Sequence, residues 1–218
     1  FVSAPWAHPT TPSLAIAALK AHLDNAFGDE VETLTTSAFM DIPYRFRETF
    51  CLNLMREAHP AYEQISLLLH AKRYMKKEVG PASLGRLISS VNKLCEMELM
   101  NPETLAALEK SFTDYADEAI IPKLLKDGVN IIGFSMIYYQ VHASTFLARY
   151  IEEKAPDIKK VFLYGGFSST GPHIFQMFSE MGLSGYCVAG EGEIKLERII
   201  KDLLGQKSKS QKPRLELK

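Results

Sequence analysis

Several features that mark particular classes of protein are scarce or missing in this chain of 218 residues. No apolar run approaches the roughly 20 residues that a membrane span requires, and no basic segment precedes the apolar residues that begin at Phe1. The formal net charge is −1, which gives no general attraction for nucleic acid. We therefore expect a soluble globular protein with neither a membrane nor a nucleic acid as partner.

Cysteine is equally scarce. Cys51, Cys95 and Cys187 are the three cysteines, and they stand too far apart to form a C-x-x-C metal pair or a disulfide framework. Each lies in an apolar pattern that is typical of small core residues. The usage of cysteine therefore indicates a reducing, cytoplasmic compartment, and the sequence shows no metal site of its own.

What the chain does contain is an alternation of strand and helix patterns. At 46% hydrophobic residues it is long enough to bury a good core. Helical patterns separate five predicted strands, which are FVSAPW, EVETLTTS (30–37), VNIIGFSMI (129–137), KVFLYGG and YCVAG. The first helix places Leu14, Ala17, Ala18, Ala21 and His22 on one stripe. Because crossovers are right-handed, we predict an α/β fold with a doubly wound, mostly parallel, five-stranded Rossmann-like (flavodoxin-like) sheet.

The long region between the second and third strands has only helical patterns. Four can be recognised, and their apolar positions are Phe46, Phe50 and Leu54; Ile65, Leu68, Leu69 and Met75; Leu84, Leu87, Ile88, Val91, Leu94 and Cys95; and Leu105, Leu108, Phe112 and Tyr115. Asn101 followed by Pro102 predicts the start of the last helix. We expect residues 1–40 and 127–205 to form the sheet domain, 41–126 a helical insertion and 206–218 a linker. The insertion either covers the ligand edge or only packs against the sheet.

Candidate ligand residues follow from the topology, because ligands of such sheets bind at the carboxyl ends of the strands. The candidates lie in the loops after four of the strands, and they are Pro5, Trp6, Ser135, Tyr138, Gln140, Gly165, Gly166, Phe167, Gly190, Glu191, Gly192 and Glu193.

Two turns are rich in glycine, GGFSSTG after the fourth predicted strand and GEGE after the fifth. Gly165 and Gly166 let a ligand approach the backbone closely, although an ordinary turn also uses glycine. Glu191 and Glu193 place negative charge where a phosphate-binding loop offers backbone N–H groups. The first strand is also not followed by the G-x-G-x-x-G motif of dinucleotide-binding folds. Nicotinamide and flavin dinucleotides are therefore disfavoured. Glu193 at a helix start also has a purely structural explanation.

Several segments together resemble one family, the cobalamin-binding domain that precedes the catalytic barrel of radical S-adenosylmethionine enzymes. The matching pieces are PWAHPTTPSLAIAALKAHL, VNIIGFSMIYYQVHASTFLARYIEEKAPDIKKVFLYGG and GEGEIKLERII. They cover roughly residues 1–37 and 129–204, and the helical region carries no specific likeness. The opening and the long insertion look most like the enzymes that modify ribosomally made peptides (RiPP maturation).

The resemblance implies a corrinoid across the carboxyl ends of the strands, with its nucleotide tail beside the two glycine-rich turns. It implies a module that presents methylcobalamin to a radical domain, for methylation or a related modification of a precursor peptide. The chain lacks the D-x-H-x-x-G signature that supplies a histidine to cobalt, and it lacks the C-x-x-x-C-x-x-C that holds an iron–sulfur cluster. S-adenosylmethionine and a 4Fe-4S cluster are therefore expected only in a C-terminal domain of a longer parent enzyme, and no residue of this chain is expected to be catalytic.

Three alternatives remain open at this point. A degenerate domain would keep the fold and lose the cofactor, acting as an interaction or regulatory module. A signalling domain of the receiver type would need clustered acidic residues after the first strand, which FVSAPW does not provide. An enzyme acting on a nucleotide-like ligand at GGFSSTG is disfavoured by the acidic GEGE turn.

Overall fold

A parallel β-sheet organises the protein. The computed structural model describes residues 1–3, 14–36, 38, 42, 61–75, 79–94, 100–137, 140–164, 171–205 and 216–217. In these residues the strands lie in the order β1 (Val2–Ser3), β2 (Ile131–Met136), β3 (Lys159–Tyr164), β4 (Tyr186–Ala189) and β5 (Glu216–Leu217). All neighbouring strands are parallel. On the side away from β2, Val2 makes an isolated parallel bridge to Thr36.

The α/β class and the parallel sheet agree with the sequence-based prediction. Four of the five predicted strands are present as β1 to β4. Of the predicted strand at residues 30–37, the described residues 30–36 contribute the bridge at Thr36 and accept a hydrogen bond from Phe1 N at Leu34 O. Glu216–Leu217 pair with β4 inside the segment that was predicted as a linker, and the rest of that segment, 206–215 and 218, lies outside the described residues.

Helices cover both faces of the sheet. Side chains alternate along β3, so Val161 and Leu163 point to one face while Phe162 and Tyr164 point to the other. The first face packs against α1 (Leu14–Phe27) and α8 (Glu193–Gly205). The second face packs against α6 (Val141–Lys154) and α7 (Gly171–Glu180). The core therefore has two apolar layers, as expected for a doubly wound arrangement.

The buried side of α1 differs from the stripe that the sequence indicated. Its buried residues are Ile16, Leu19, Leu23 and Phe27, whereas Leu14 is 80% exposed. The alanines that supported the predicted stripe bury little apolar area, so the larger Ile, Leu and Phe side chains determine which face packs against the sheet. His22 lies at the margin of this face, where its Nε2 is 2.9 Å from Glu197 Oε2 of α8.

Four α-helices with described bounds lie between Thr36 and β2. They are α2 (Ala61–Tyr74), α3 (Pro81–Leu94), α4 (Pro102–Tyr115) and α5 (Ile121–Lys126). The predicted core positions of α4, Leu105, Leu108, Phe112 and Tyr115, are all at most 1% exposed. Asn101 caps α4 as predicted, since Thr104 N donates to its Oδ1 at 2.8 Å. The pattern of Phe46, Phe50 and Leu54 lies outside the described residues, as do Cys51 and Cys95.

Between α4 and α5 the chain widens into a π-helix at Ala116–Ile120. The N–H of Ile121 donates to Ala116 O, one residue farther back than in an α-helix. Pro122 follows, and it has no N–H with which to restore the α-helical pattern at that point. The π-helix places Ile120 against the sheet, where it is 3% exposed.

Candidate functional site

The carboxyl ends of the strands meet along one edge of the sheet, which we call the carboxyl edge. After β1 the chain crosses to α1 on one face, and after β2 it crosses to α6 on the opposite face. Neighbouring strands whose connections diverge in this way leave a crevice between them. In this protein the crevice lies between the end of β1 at Ser3 and the end of β2 at Met136.

Gln140 forms the floor of that crevice. It is 3% exposed, and its Oε1 accepts a hydrogen bond from Ile137 N at 3.1 Å. Its Nε2 donates to Ser3 Oγ at 3.5 Å, which links the ends of β1 and β2. The amide of this predicted ligand residue is therefore engaged within the protein. Ser135, also predicted, lies opposite Ser3 in the sheet and is half-buried.

The turn after β4 uses its two glycines for different reasons. Gly190 has φ +76°, a conformation that favours glycine, and its N–H donates to Tyr164 O at 3.0 Å. A Cβ at Gly190 would meet nothing within 4 Å. At Gly192 a Cβ would lie 3.2 Å from side-chain carbons of both Leu163 and Leu19, so this glycine permits close packing of α1 on β3.

The two acids of the same turn have different environments. Glu191 is exposed, whereas Glu193 is half-buried and begins α8, where a carboxylate complements the helix dipole. Lys195 brings a cation to the same turn, because its Nζ donates to Ala189 O at 3.0 Å. Sequence reasoning missed Lys195, since a contact six residues apart across a turn leaves no periodic signal.

Sequence reasoning also missed three exposed apolar side chains around the carboxyl edge. Leu14 begins α1, Ile137 directly follows β2, and Ile194 is the second residue of α8. Their exposed fractions are 80%, 50% and 61%. Single exposed apolar side chains are common on protein surfaces, so the feature of interest is that these three lie on elements that meet the same edge of the sheet. The signal available in the sequence was the position of each residue between the end of a strand and the first turn of the next helix.

Six of the predicted ligand residues cannot be placed at this edge. Pro5, Trp6, Tyr138, Gly165, Gly166 and Phe167 lie outside the described residues. Of the others, Ser135 and Gln140 lie together at the crevice, and Gly190, Glu191, Gly192 and Glu193 form the turn that follows β4.

A second polar cluster lies between α2 and α6, near the point where both helices begin. The backbone N–H of His142 donates to Glu63 Oε1 at 3.3 Å, and His142 Nε2 lies 3.7 Å from the same oxygen. Burial raises the pKa of Glu63 to about 8 and lowers the pKa of His142 to about 4. Both side chains are consequently neutral near pH 7, and the contact is not an ion pair. Glu63 caps α6 from a neighbouring helix.

We call the contact between α2 and α6 the seam. It continues about two helical turns farther along both helices, to His70 and Arg149. His70 Nε2 lies 3.3 Å from Arg149 Nη1, and burial together with the charge of Arg149 lowers the pKa of His70 to about 4. Arg149 also lies over the ring of Tyr74, 4.2 Å from its centroid. Several buried atoms between α2 and α6 have no hydrogen-bond partner among the residues that the structure describes, and they are Glu63 Oε2, Gln64 Oε1, His70 Nδ1, Tyr74 Oη, His142 Nδ1 and Ser144 Oγ.

The described residues contain neither a metal-binding cluster nor a membrane-spanning helix. No group of three or more His, Cys, Asp or Glu side chains there could hold a metal ion. No helix among them is long and apolar enough to cross a membrane. Cys187 is buried and free, and burial raises the pKa of its thiol to about 12, which makes it an inert core residue as the sequence indicated.

Comparisons with known proteins give no relative to reason from. No family model matches the chain, and neither the curated proteins nor the solved structures include a significant match.

Proposed function

We propose that the chain is a corrinoid-binding module whose carboxyl edge holds cobalamin and presents it to a radical S-adenosylmethionine domain of the same polypeptide. The observation that carries the proposal is the arrangement of this edge. β1 and β2 end side by side there and their connections lead to opposite faces of the sheet, and three exposed apolar side chains, Leu14, Ile137 and Ile194, belong to elements that meet the same edge. A corrin ring is a broad and largely apolar surface with polar amide arms, so such an edge suits it.

The strand arrangement supports the finer fold assignment. The bridge at Thr36 lies beyond β1, so the first five segments of the chain lie along the sheet in the order second, first, third, fourth and fifth, with β5 as a sixth segment after them. That order is the flavodoxin-like order, with α2 to α5 as an insertion between the second segment and β2. A ligand of such a fold binds at the β1–β2 crevice.

The described residues also fit the amide arms and nucleotide tail of the cofactor. Ser135 offers a hydroxyl at the crevice, and Glu191 offers an exposed carboxylate to amide or hydroxyl donors. Gln140 supports the crevice from below. When bound, cobalamin supplies the methyl-transfer chemistry, and this chain orients it. The parent enzyme would act as a methyltransferase or related enzyme on a precursor peptide in the cytoplasm, with S-adenosylmethionine and the 4Fe-4S cluster held by its other domain.

Equilibrium dialysis with hydroxocobalamin tests the proposal. We expect the chain to retain cobalamin, and we expect Ile137→Glu combined with Ile194→Glu to weaken retention at least tenfold. Leu125→Glu is the matched control, because Leu125 is 65% exposed on α5, away from the carboxyl edge. All three positions are exposed, so each change should alter the free energy of unfolding by only about 0.5 kcal/mol.

Two outcomes would contradict the proposal. If the folded chain retains no cobalamin at high micromolar concentration, the module is an interaction domain without cofactor. If Leu125→Glu weakens retention as much as the double variant, cobalamin does not bind at the carboxyl edge.

A further inference from the structure

Gln140 stands directly before α6, at the position from which a residue normally caps a helix, but its side chain serves the crevice. Its Oε1 accepts a hydrogen bond from Ile137 N at 3.1 Å, and its Nε2 donates to Ser3 Oγ at 3.5 Å. Among the described residues, the side chain of Gln140 makes no capping hydrogen bond to α6. The start of α6 therefore needs an acceptor from another element, because the first N–H groups of a helix have no partner within it.

Glu63 of α2 supplies that acceptor. Its Oε1 accepts the hydrogen bond that the backbone N–H of His142 donates at 3.3 Å. His142 is the second residue of α6, and an ordinary capping side chain accepts from the N–H of the second or third residue of a helix. Glu63 is 8% exposed, so water has little access to replace it as the acceptor. A helix of the predicted insertion thus caps the helix that follows β2.

The helices α2 and α6 run in the same direction from the same end of the sheet. Glu63 and His142 are 79 residues apart in the chain. His70 and Arg149, which meet farther along the seam, are also 79 residues apart. A constant offset means that the two helices are parallel. Because α6 follows the end of β2, the start of α2 lies beside it at the carboxyl edge, where the proposed ligand binds.

A short path joins the cap of α6 to the crevice. Gln140 lies two residues before His142, and its N–H donates to Ile137 O at 2.8 Å while its Oε1 accepts from Ile137 N. These two hydrogen bonds hold Ile137, whose side chain is one of the three exposed apolar groups of the carboxyl edge. A displacement of the first turn of α6 would consequently move Gln140, and with it both Ile137 and the link to Ser3.

We propose that Glu63 is a positioning residue of the carboxyl edge, because by capping α6 in place of Gln140 it allows the Gln140 amide to bind Ser3 and Ile137 and so to form the floor of the crevice. Glu63 acts through α6 and does not itself touch the ligand. Its effect on cobalamin rests on the proposed function, whereas its effect on the contacts of Gln140 depends on this chain alone.

Three variants of the full chain test the proposal by amide NMR without ligand. Glu63→Leu removes the acceptor at a similar side-chain volume. Glu63→Gln keeps an acceptor, because Glu63 is neutral near pH 7 and an amide oxygen accepts the same hydrogen bond. His70→Leu is the matched control, since it changes the same seam about two turns away from the cap.

In Glu63→Leu we expect the His142 amide to exchange with water about fivefold faster or more, because its N–H loses its acceptor. We also expect the side-chain amide signals of Gln140 and the backbone amide signal of Ile137 to shift. Glu63→Gln and His70→Leu should leave the Gln140 and Ile137 signals as in the parent chain.

Equilibrium dialysis with hydroxocobalamin at pH 7 adds a readout of the ligand. We expect Glu63→Leu to weaken retention about fivefold or more, and we expect Glu63→Gln and His70→Leu to stay within about twofold of the parent chain. Rescue by Glu63→Gln separates the capping role from a general loss of stability. If the parent chain retains no cobalamin, the proposed function fails, and the NMR signals still decide whether Glu63 positions Gln140.

Other results would overturn the proposal. Parental Gln140 and Ile137 signals in folded Glu63→Leu would mean that the crevice does not depend on the cap. Equal effects of Glu63→Gln and Glu63→Leu, or of His70→Leu and Glu63→Leu, would mean that the acceptor at position 63 has no special role. Undiminished retention by Glu63→Leu would overturn the effect on cobalamin. If Glu63→Leu does not fold, Glu63→Asp replaces it in every comparison, because its shorter side chain withdraws the acceptor from the His142 N–H.

Discussion

Glycine residues that look alike in the sequence differ in what they contribute. Gly190 adopts φ +76° with open space around it, so its conformation and not its size requires glycine. Gly85 lies inside α3, also with nothing within 4 Å of an added Cβ, but in ordinary helical backbone. A single methyl group therefore has opposite expected effects at the two positions.

We predict that Gly190→Ala destabilises the protein by about 1–2 kcal/mol, because a left-handed residue with a Cβ is strained. Gly85→Ala should stabilise it by about 0.5–1 kcal/mol, since alanine loses less backbone entropy in a helix. Urea unfolding of both variants measures the difference. Equal effects of the two substitutions would show that the turn after β4 is not conformationally constrained.

At the scale of elements, the seam between α2 and α6 makes stability depend on pH. Glu63 has its pKa raised from 4.5 to about 8, so the native state loses stability as pH rises through that range. The pKa values of His70 and His142 are lowered from 6.5 to about 4. The native state therefore loses stability as pH falls from 6.5 toward 4. Between pH 4.5 and 6.5 the two histidines change the free energy of unfolding more than Glu63 does, so stability increases with pH in this range.

We therefore predict that the free energy of unfolding rises from pH 4.5 to 6.5 and changes little from 6.5 to 8, because the loss due to Glu63 is offset there by the amino group of Phe1, whose pKa burial lowers from 8.0 to about 6. Urea unfolding at several pH values from 5 to 8.5 measures the profile. Glu63→Gln should make the free energy of unfolding rise further between pH 6.5 and 8, whereas Glu191→Gln, at an exposed carboxylate, should leave the profile unchanged. A profile that Glu63→Gln does not alter would mean that Glu63 is ionised in the native protein at neutral pH.

At the scale of the whole molecule, charged side chains fasten the helices α2 and α4 to the sheet domain. Arg73 of α2 donates to Glu109 of α4 at 3.1 Å and to Glu153 of α6 at 2.8 Å. Lys72 adds a second contact to Glu109 at 2.9 Å. A network that joins three helices contributes more than an isolated surface pair, because each partner is already held in place.

We predict that Arg73→Met destabilises the protein by about 1–2 kcal/mol and speeds hydrogen exchange in α2 and α4 more than in α1 and α8. Lys110→Met is the control, since Lys110 is 73% exposed and pairs only within α4 with Asp114. It should change stability by less than about 0.5 kcal/mol. Uniformly faster exchange throughout the chain after Arg73→Met would contradict a local fastening role.

The sequence by itself determined the class of the fold and most of its elements. Period-2 and period-3.6 patterns are local, so β2, β3, β4 and the helices α2, α3, α4, α6, α7 and α8 could be predicted from them, whereas α5, which follows the π-helix, was not predicted. The cap at Asn101 and the core positions of α4 followed in the same way. The places of the described candidates, Ser135, Gln140 and residues 190–193, at the ends of β2 and β4 also followed, because in a parallel sheet every strand ends at the same edge.

Only the tertiary structure decided which faces are buried and which polar groups meet. In the folded protein, α1 buries the face that carries Ile16, Leu19 and Leu23. Gln140 contacts Ser3, and Glu63 contacts His142, which lies 79 residues later in the chain. Among the described residues, the predicted strand at residues 30–37 forms the bridge at Thr36 rather than a continuous strand. These outcomes depend on contacts between segments that are distant in the chain. The energies of those contacts come from the fit of side-chain volumes and from desolvation of polar groups, and a local pattern of residues encodes neither.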